Sequence, residues 1–148
     1  MQKLNCILLI TTLLISCNVF NNETIKKIPT DVLFELKKSG CYGTCPIYNI
    51  SIDANGNIKY EGKRFVEAIG SFTWQMNDKD FKELRALLNK KMTENVTYNL
   101  NAQDLPLTQL NINNKYKIKF KGGCPEKFKT ELQQIKLLLW KNTELKMP

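Results

Sequence analysis

At 148 residues, 43% of them apolar, the chain has room for one domain with its own core. It carries 22 basic and 14 acidic residues, a formal charge of +8, and no histidine. Without an imidazole, Ser-His-Asp and Cys-His catalytic arrangements have no base and ordinary zinc sites lose their commonest nitrogen ligand.

Lys3 precedes an apolar run from Ile7 to Ile15, which ends in Leu14-Ile15-Ser16-Cys17. A basic start, a short apolar stretch and a small residue before the cut form a secretory signal, too short to span a bilayer. Leu-x-Ser-Cys resembles the lipobox of bacterial lipoproteins, which implies that Cys17 is lipidated and becomes the new amino terminus. The expected organisation is a signal peptide over 1–16, a polar tether over 17–29, one domain over 30–142 and a tail over 143–148. Asn18 is not the aspartate that resembles an inner-membrane retention signal, which favours an outer-membrane destination. Cys6 leaves with the signal, and with it Lys3, so the 22 basic residues fall to 21 and the net charge to +7. A basic domain suits anionic lipid headgroups or polysaccharide, although a lysine-rich solubilising surface is the plainer account. No nucleic-acid motif is present, and nucleic acid is no partner for an exported lipoprotein.

Val32, Phe34 and Leu36 alternate with Asp31, Leu33, Glu35 and Lys37, the period of a half-buried strand, and Lys37-Lys38-Ser39-Gly40 breaks it. Alternation resumes with Tyr48, Ile50 and Ile52, and Asn55-Gly56 predicts a type I′ hairpin into Ile58-Lys59-Tyr60. Gly62 should end that strand. Phe65 to Met76 reads as one further strand, bent or bulged at Gly70. Asn77 and Asp78 suit a helix cap, and Phe81, Leu84, Leu87 and Leu88 lie on one stripe behind it. Thr93 to Leu105 reads as a loop with a short strand at Val96–Leu100. A second hairpin joins Leu110 and Ile112 to Tyr116, Ile118 and Phe120 through Asn113-Asn114. Gly122-Gly123 breaks the chain before Pro125, which suits the first turn of a helix with Phe128, Leu132, Ile135 and Leu139 on its apolar face. The expected fold is α+β: a two-layer sandwich of five or six mostly antiparallel strands with two helices on one face, in the order strands, helix, strands, helix.

The run Cys41-Tyr42-Gly43-Thr44-Cys45-Pro46-Ile47-Tyr48, with Asn55-Gly56 and Tyr60-Glu61-Gly62 after it, resembles a family of bacterial envelope domains known as domain of unknown function 6438. The resemblance runs from about Val32 to about Leu139 and takes in Asp104-Leu105-Pro106 and Pro125-Glu126. It implies the extent of the domain and an envelope setting, and it brings no activity.

The mature thiols beside Cys17 are Cys41, Cys45 and Cys124. Outside the cytoplasm a close pair is most often a disulfide. Cys-x-x-x-Cys-Pro is also similar to the copper motif of the Sco assembly proteins, which use a distal histidine and a thioredoxin-type fold absent here. A three-thiolate Cu(I) site from Cys41, Cys45 and Cys124 remains open, since soft sulfur suits that ion. The family hallmark contains the close pair alone, and Gly43 and Pro46 suit a tight turn that brings Cys41 and Cys45 within bridging reach. The expectation is therefore Cys41 bridged to Cys45 and Cys124 free, with Cys124 activated by the unpaired amides of a helix start.

The acids are scattered. Asp104 alone has a conspicuous setting, and it reads as a turn-forming aspartate capping nearby amides ahead of a ligand or catalytic role. Lys115, Lys117, Lys119 and Lys121 occupy alternate positions of one strand and form a basic stripe. Such a stripe protects an edge from aggregation or docks an anionic envelope polymer. The sequence as a whole reads as a lipid-anchored, non-catalytic binding or structural module without a cofactor, attached to the membrane and meeting anionic polymer or a protein partner. The rivals are a redox or Cu(I)-carrying thiol protein and an immunity or inhibitor lipoprotein with a cognate enzyme or toxin.

Overall fold

The computed structural model describes residues 31–148, so the signal, Cys17 and the whole tether lie outside the described residues. Seven strands form one sheet: β1 (Val32–Lys38), β2 (Ile47–Asp53), β3 (Asn57–Arg64), β4 (Gly70–Gln75), β5 (Val96–Tyr98), β6 (Leu107–Ile112) and β7 (Tyr116–Lys121). Helix α1 (Asp78–Lys91) follows β4, and helix α2 (Glu126–Trp140) follows β7. The α+β class and the two helices are as expected, with more strands than the five or six anticipated. Their order across the sheet is β4-β3-β2-β1-β6-β7-β5, which puts the first strand at the centre. All pairs are antiparallel except β5 with β7, because α1 carries the chain from one edge of the sheet to the other.

Both helices pack on the same face. Phe34, Leu36, Tyr48, Ile50, Ile52, Ile58, Tyr60, Leu110, Ile112, Ile118 and Phe120 project from alternate strand positions into one core. Leu84 and Leu88 of α1, with Phe128, Leu132, Ile135 and Leu139 of α2, close it from the other side. Leu145 and Met147, in the segment expected as a tail, also pack against this core.

Four local expectations need correction. The β2–β3 turn is not type I′: among its central residues only Gly56 has positive φ, at 80°. Gly56 N donates to Asp53 O at 3.1 Å, and the Asp53 carboxylate accepts from the amides of Asn55 and Asn57, giving a three-residue loop that closes on the glycine. Gly62 does not end β3 but sits inside it. A Cβ there would stand 1.9 Å from Ala68 O, so the strand accepts only glycine where the next loop folds back over it. Phe65 to Ile69 form that loop, with Phe65 at φ 54°, and β4 begins at Gly70, φ 116°. Pro125 is the residue before α2 and not its first turn, and no side chain caps that helix. Asn113 and Asn114, at φ 53° and 54°, do form the expected mirror-image turn.

Candidate binding surfaces

The β1–β2 connection is clamped at its base. Ser39 N donates to Leu107 O at 2.9 Å, and Leu107 N returns a bond to Ser39 Oγ at 3.0 Å. Beyond it Cys41 and Cys45 are joined by a disulfide, their Cα atoms 5.6 Å apart, and Tyr42 at the tip is 93% exposed. The close pair therefore bridges as expected.

At the same end of the sheet as the disulfide loop, a cleft lies between the strands and α2. Tyr48, Lys38 and Thr108 are cross-strand partners in one row across β2, β1 and β6, and Phe120 of β7 continues the row. All lie on the helix-covered face, because Lys38 has the same parity as Phe34 and Leu36. With Cys124, Lys129 and Lys136 they line a space of about 190 Å³. Burial pushes the Lys136 ammonium below its ordinary value and the nearby Lys38 adds to the effect. The same site raises Tyr48 to about 12 through burial and the neighbouring Tyr60 phenol. Sequence reading passed over Lys38, since a lysine doublet after an alternating run looks like a strand end. Counting parity one step further would have placed it on the inner face.

Cys124 is free and half-buried in this cleft. It is not activated. Burial raises its pKa, Glu126 and Glu131 raise it further, and Lys129 pulls only partly the other way. The first-turn glutamate and the low-dielectric setting outweigh the helix amides. The three-thiolate copper site is not assembled either: two of its sulfurs are bonded to each other. Among the described residues no three His, Cys, Asp or Glu side chains gather as a metal-holding group.

Among the described residues no helix packs against the opposite face of the sheet, and its side chains are polar throughout the centre. Thr73, Lys59, Ser51, Glu35, Asn111 and Lys117 form one cross-strand row from β4 to β7. Ser71, Glu61, Asn49, Lys37, Gln109 and Lys119 form the next. Two shallow depressions adjoin there, of about 220 Å³ and about 180 Å³, sharing Glu35. Lys37 pairs with Glu35 at 2.9 Å, whereas Lys59, Lys117 and Lys119 have no carboxylate partner among the described residues. The Asn111 Oδ1 acceptor is buried and has no hydrogen-bond partner among the described residues.

The lysine stripe thus divides. Lys117 and Lys119 face the larger depression, Lys121 donates to Ala102 O at 2.9 Å, and Lys115 lies in the turn over the Tyr116 ring. Their strand is not an edge, since β5 pairs beyond it. Asp104 is exposed in a left-handed turn, φ 60°, and caps no amide among the described residues. Its neighbour Leu105 covers Gly122.

Among the described residues, a seven-stranded sheet covered by two helices on one side and open on the other, with a disulfide loop at one end, defines the class of domain. Residues 32–139 match the family model described as Domain of unknown function (DUF6438), and the chain belongs to that family. No curated protein and no solved structure matches the chain.

Proposed function

We propose that the protein is a non-catalytic binding module, held at the cell envelope by a lipid on Cys17, whose open sheet face takes an anionic, hydroxyl-rich polymer such as an acidic polysaccharide. The observation that carries this reading is the pair of polar rows. An antiparallel sheet can leave one face to water, but such a face normally serves only solvation. Here three lysines without carboxylate partners and the three amide side chains of Asn49, Gln109 and Asn111, the last with a buried oxygen unpaired among the described residues, line adjoining depressions. Six strands spaced about 4.8 Å apart make the rows roughly 24 Å long, the span of several sugar units. The absence of apolar side chains from these rows argues against a dry protein–protein interface. Lipid anchoring is supported by the Leu14-Ile15-Ser16-Cys17 pattern, and Asn18 favours the outer membrane.

Retention of the full-length protein on immobilised polygalacturonate, against neutral dextran, tests the binding. Retention should weaken with salt and disappear in the double variant Lys117→Glu, Lys119→Glu. Equal retention on both polymers, or no loss in the variant, removes the proposal. Cys17→Ala should release the protein from membranes and abolish labelling by fatty acid. A second reading, as a redox thiol protein, draws on the exposed loop tip at Tyr42. It requires the Cys41–Cys45 pair to exchange in glutathione buffer, where a structural disulfide stays closed.

A further inference from the structure

We infer that the cleft between the disulfide end of the sheet and α2 is a second binding site, for a small organic anion about the size of one six-membered ring, with its carboxylate or phosphate between Lys38 and Lys136. The site lies on the helix-covered side, so it is separate from the open face and independent of what that face binds. Three observations converge on it.

The first is the placement of charge. Lys38 is a lysine on the inner face of the central strand, and Lys136 is a half-buried lysine on the helix packed over it. Two ammonium groups brought together under partial burial repel each other, which depresses the affinity of Lys136 for its proton. An anion between them reverses the sign of that interaction. Lys136 Nζ has one long contact in hand, to Pro148 O at 3.4 Å. Lys129 stands at the rim, tied to Glu126 at 3.2 Å.

The second is a pair of unengaged hydroxyl groups. Tyr48 is 1% exposed and Thr108 is 5% exposed, and both line the cleft. Neither hydroxyl has a hydrogen-bond partner among the described residues. A ligand seated in the cleft would meet both hydroxyls as hydrogen-bonding groups. The third is shape. The cleft holds about 190 Å³, and Leu36, Phe120 and Leu132 give it an apolar floor on which a ring can rest.

Cys124 lines the same space and reports on it. The test uses the full chain with Cys6→Ser and Cys17→Ser, leaving Cys124 as the single thiol outside the disulfide. Its alkylation by iodoacetamide is followed while benzoate, phenyl phosphate or neutral benzyl alcohol is added. At least one anion should slow alkylation saturably, several-fold at the plateau, while benzyl alcohol does not. The better anion assigns the headgroup as carboxylate or phosphate. Lys136→Gln and Lys38→Gln should each weaken protection about tenfold or more, and Lys117→Glu with Lys119→Glu should leave it unchanged. Two lysine variants are used so that a folding defect in one, seen as a lost thermal transition, leaves the other decisive. No protection by either anion, equal protection by benzyl alcohol, or protection that survives in a folded lysine variant would overturn the inference.

Discussion

The Asp80 carboxylate accepts a hydrogen bond from the Lys141 ammonium at 2.7 Å and so ties the first turn of α1 to the residue just past α2. Asn77 completes the arrangement: its side chain caps Asp80 N at 2.9 Å and donates to the same carboxylate at 2.7 Å. Asp80 is 1% exposed whereas the Lys141 side chain is 55% exposed, so the clasp holds one buried carboxylate from the surface side. The hydrogen bonds from Lys141 and then Asn77 hold the Asp80 carboxyl below its ordinary value, and the bond to Asp80 holds Lys141 above its own.

The clasp gives stability with two limits in pH. The Asp80 contribution is present above the unfolded-chain value near 3.8 and is lost as pH falls through the lower folded value. The Lys141 contribution is complete below 10.5 and is lost as pH rises through the raised folded value. Asp80→Ala should lower the melting temperature by several degrees at neutral pH, because it also strands Asn77 and Lys141. The gap from wild type should close on acidification below pH 4. A gap that stays constant down to pH 2 shows that the clasp is not the source.

Tyr48 sets a separate alkaline limit. Its phenol is raised to about 12, so its contribution is complete below pH 10 and declines up to the folded value. The loss over that range is about 3 kcal/mol. Urea titrations at pH 8 and at pH 11.5 should show a smaller decline for Tyr48→Phe than for wild type. Parallel declines would place the alkaline sensitivity elsewhere.

Removing the disulfide with Cys41→Ser and Cys45→Ser should cost about 2 kcal/mol, since the bridge closes a loop of only about five residues. Non-reducing peptide mapping should join Cys41 to Cys45 and leave Cys124 alkylatable. A crosslinked peptide containing Cys124 contradicts the pairing.

Gly62→Ala should destabilise the fold by more than about 2 kcal/mol, as the new methyl would stand 1.9 Å from a backbone oxygen that flexes little. Gly123→Ala meets nothing within 4 Å and should stay within about 0.5 kcal/mol of wild type. Denaturant midpoints decide this, and equal values for the two variants would show that the Phe65–Ile69 loop simply moves away.

What could be read ahead of the structure follows from where water is. Phe34, Leu36, Ile50, Ile52, Ile118 and Phe120 alternate because each strand has one dry face, and period two survives in the chain as written. The helical stripes of α1 and α2 are legible for the same reason. Gly62 is not, because its role comes from a loop oxygen that arrives from Ala68, and no local pattern encodes that approach. The partner of β5 is equally hidden: Val96 and Tyr98 pair with Ile118 and Phe120 only after α1 has crossed the sheet. At the binding surfaces, Lys117 and Lys119 stand out in sequence, but their neighbours Lys37, Gln109 and Asn111 come from other strands. Lys38 and Lys136 meet across two layers, which only tertiary structure brings together.

The central position of β1 has a consequence for how the chain comes into being. Its hairpin partner β2 is local, but its other edge belongs to β6, and Thr108 lies 70 residues after its partner Lys38. A chain that emerges from its amino terminus can assemble β1 to β4 as a meander long before β6 exists. Until then the strand that ends up best protected presents a bare row of amides and carbonyls beside Phe34 and Leu36. Distant pairings of this kind slow folding. The β1–β6 seam is therefore the long-range pairing on which closure of the sheet depends.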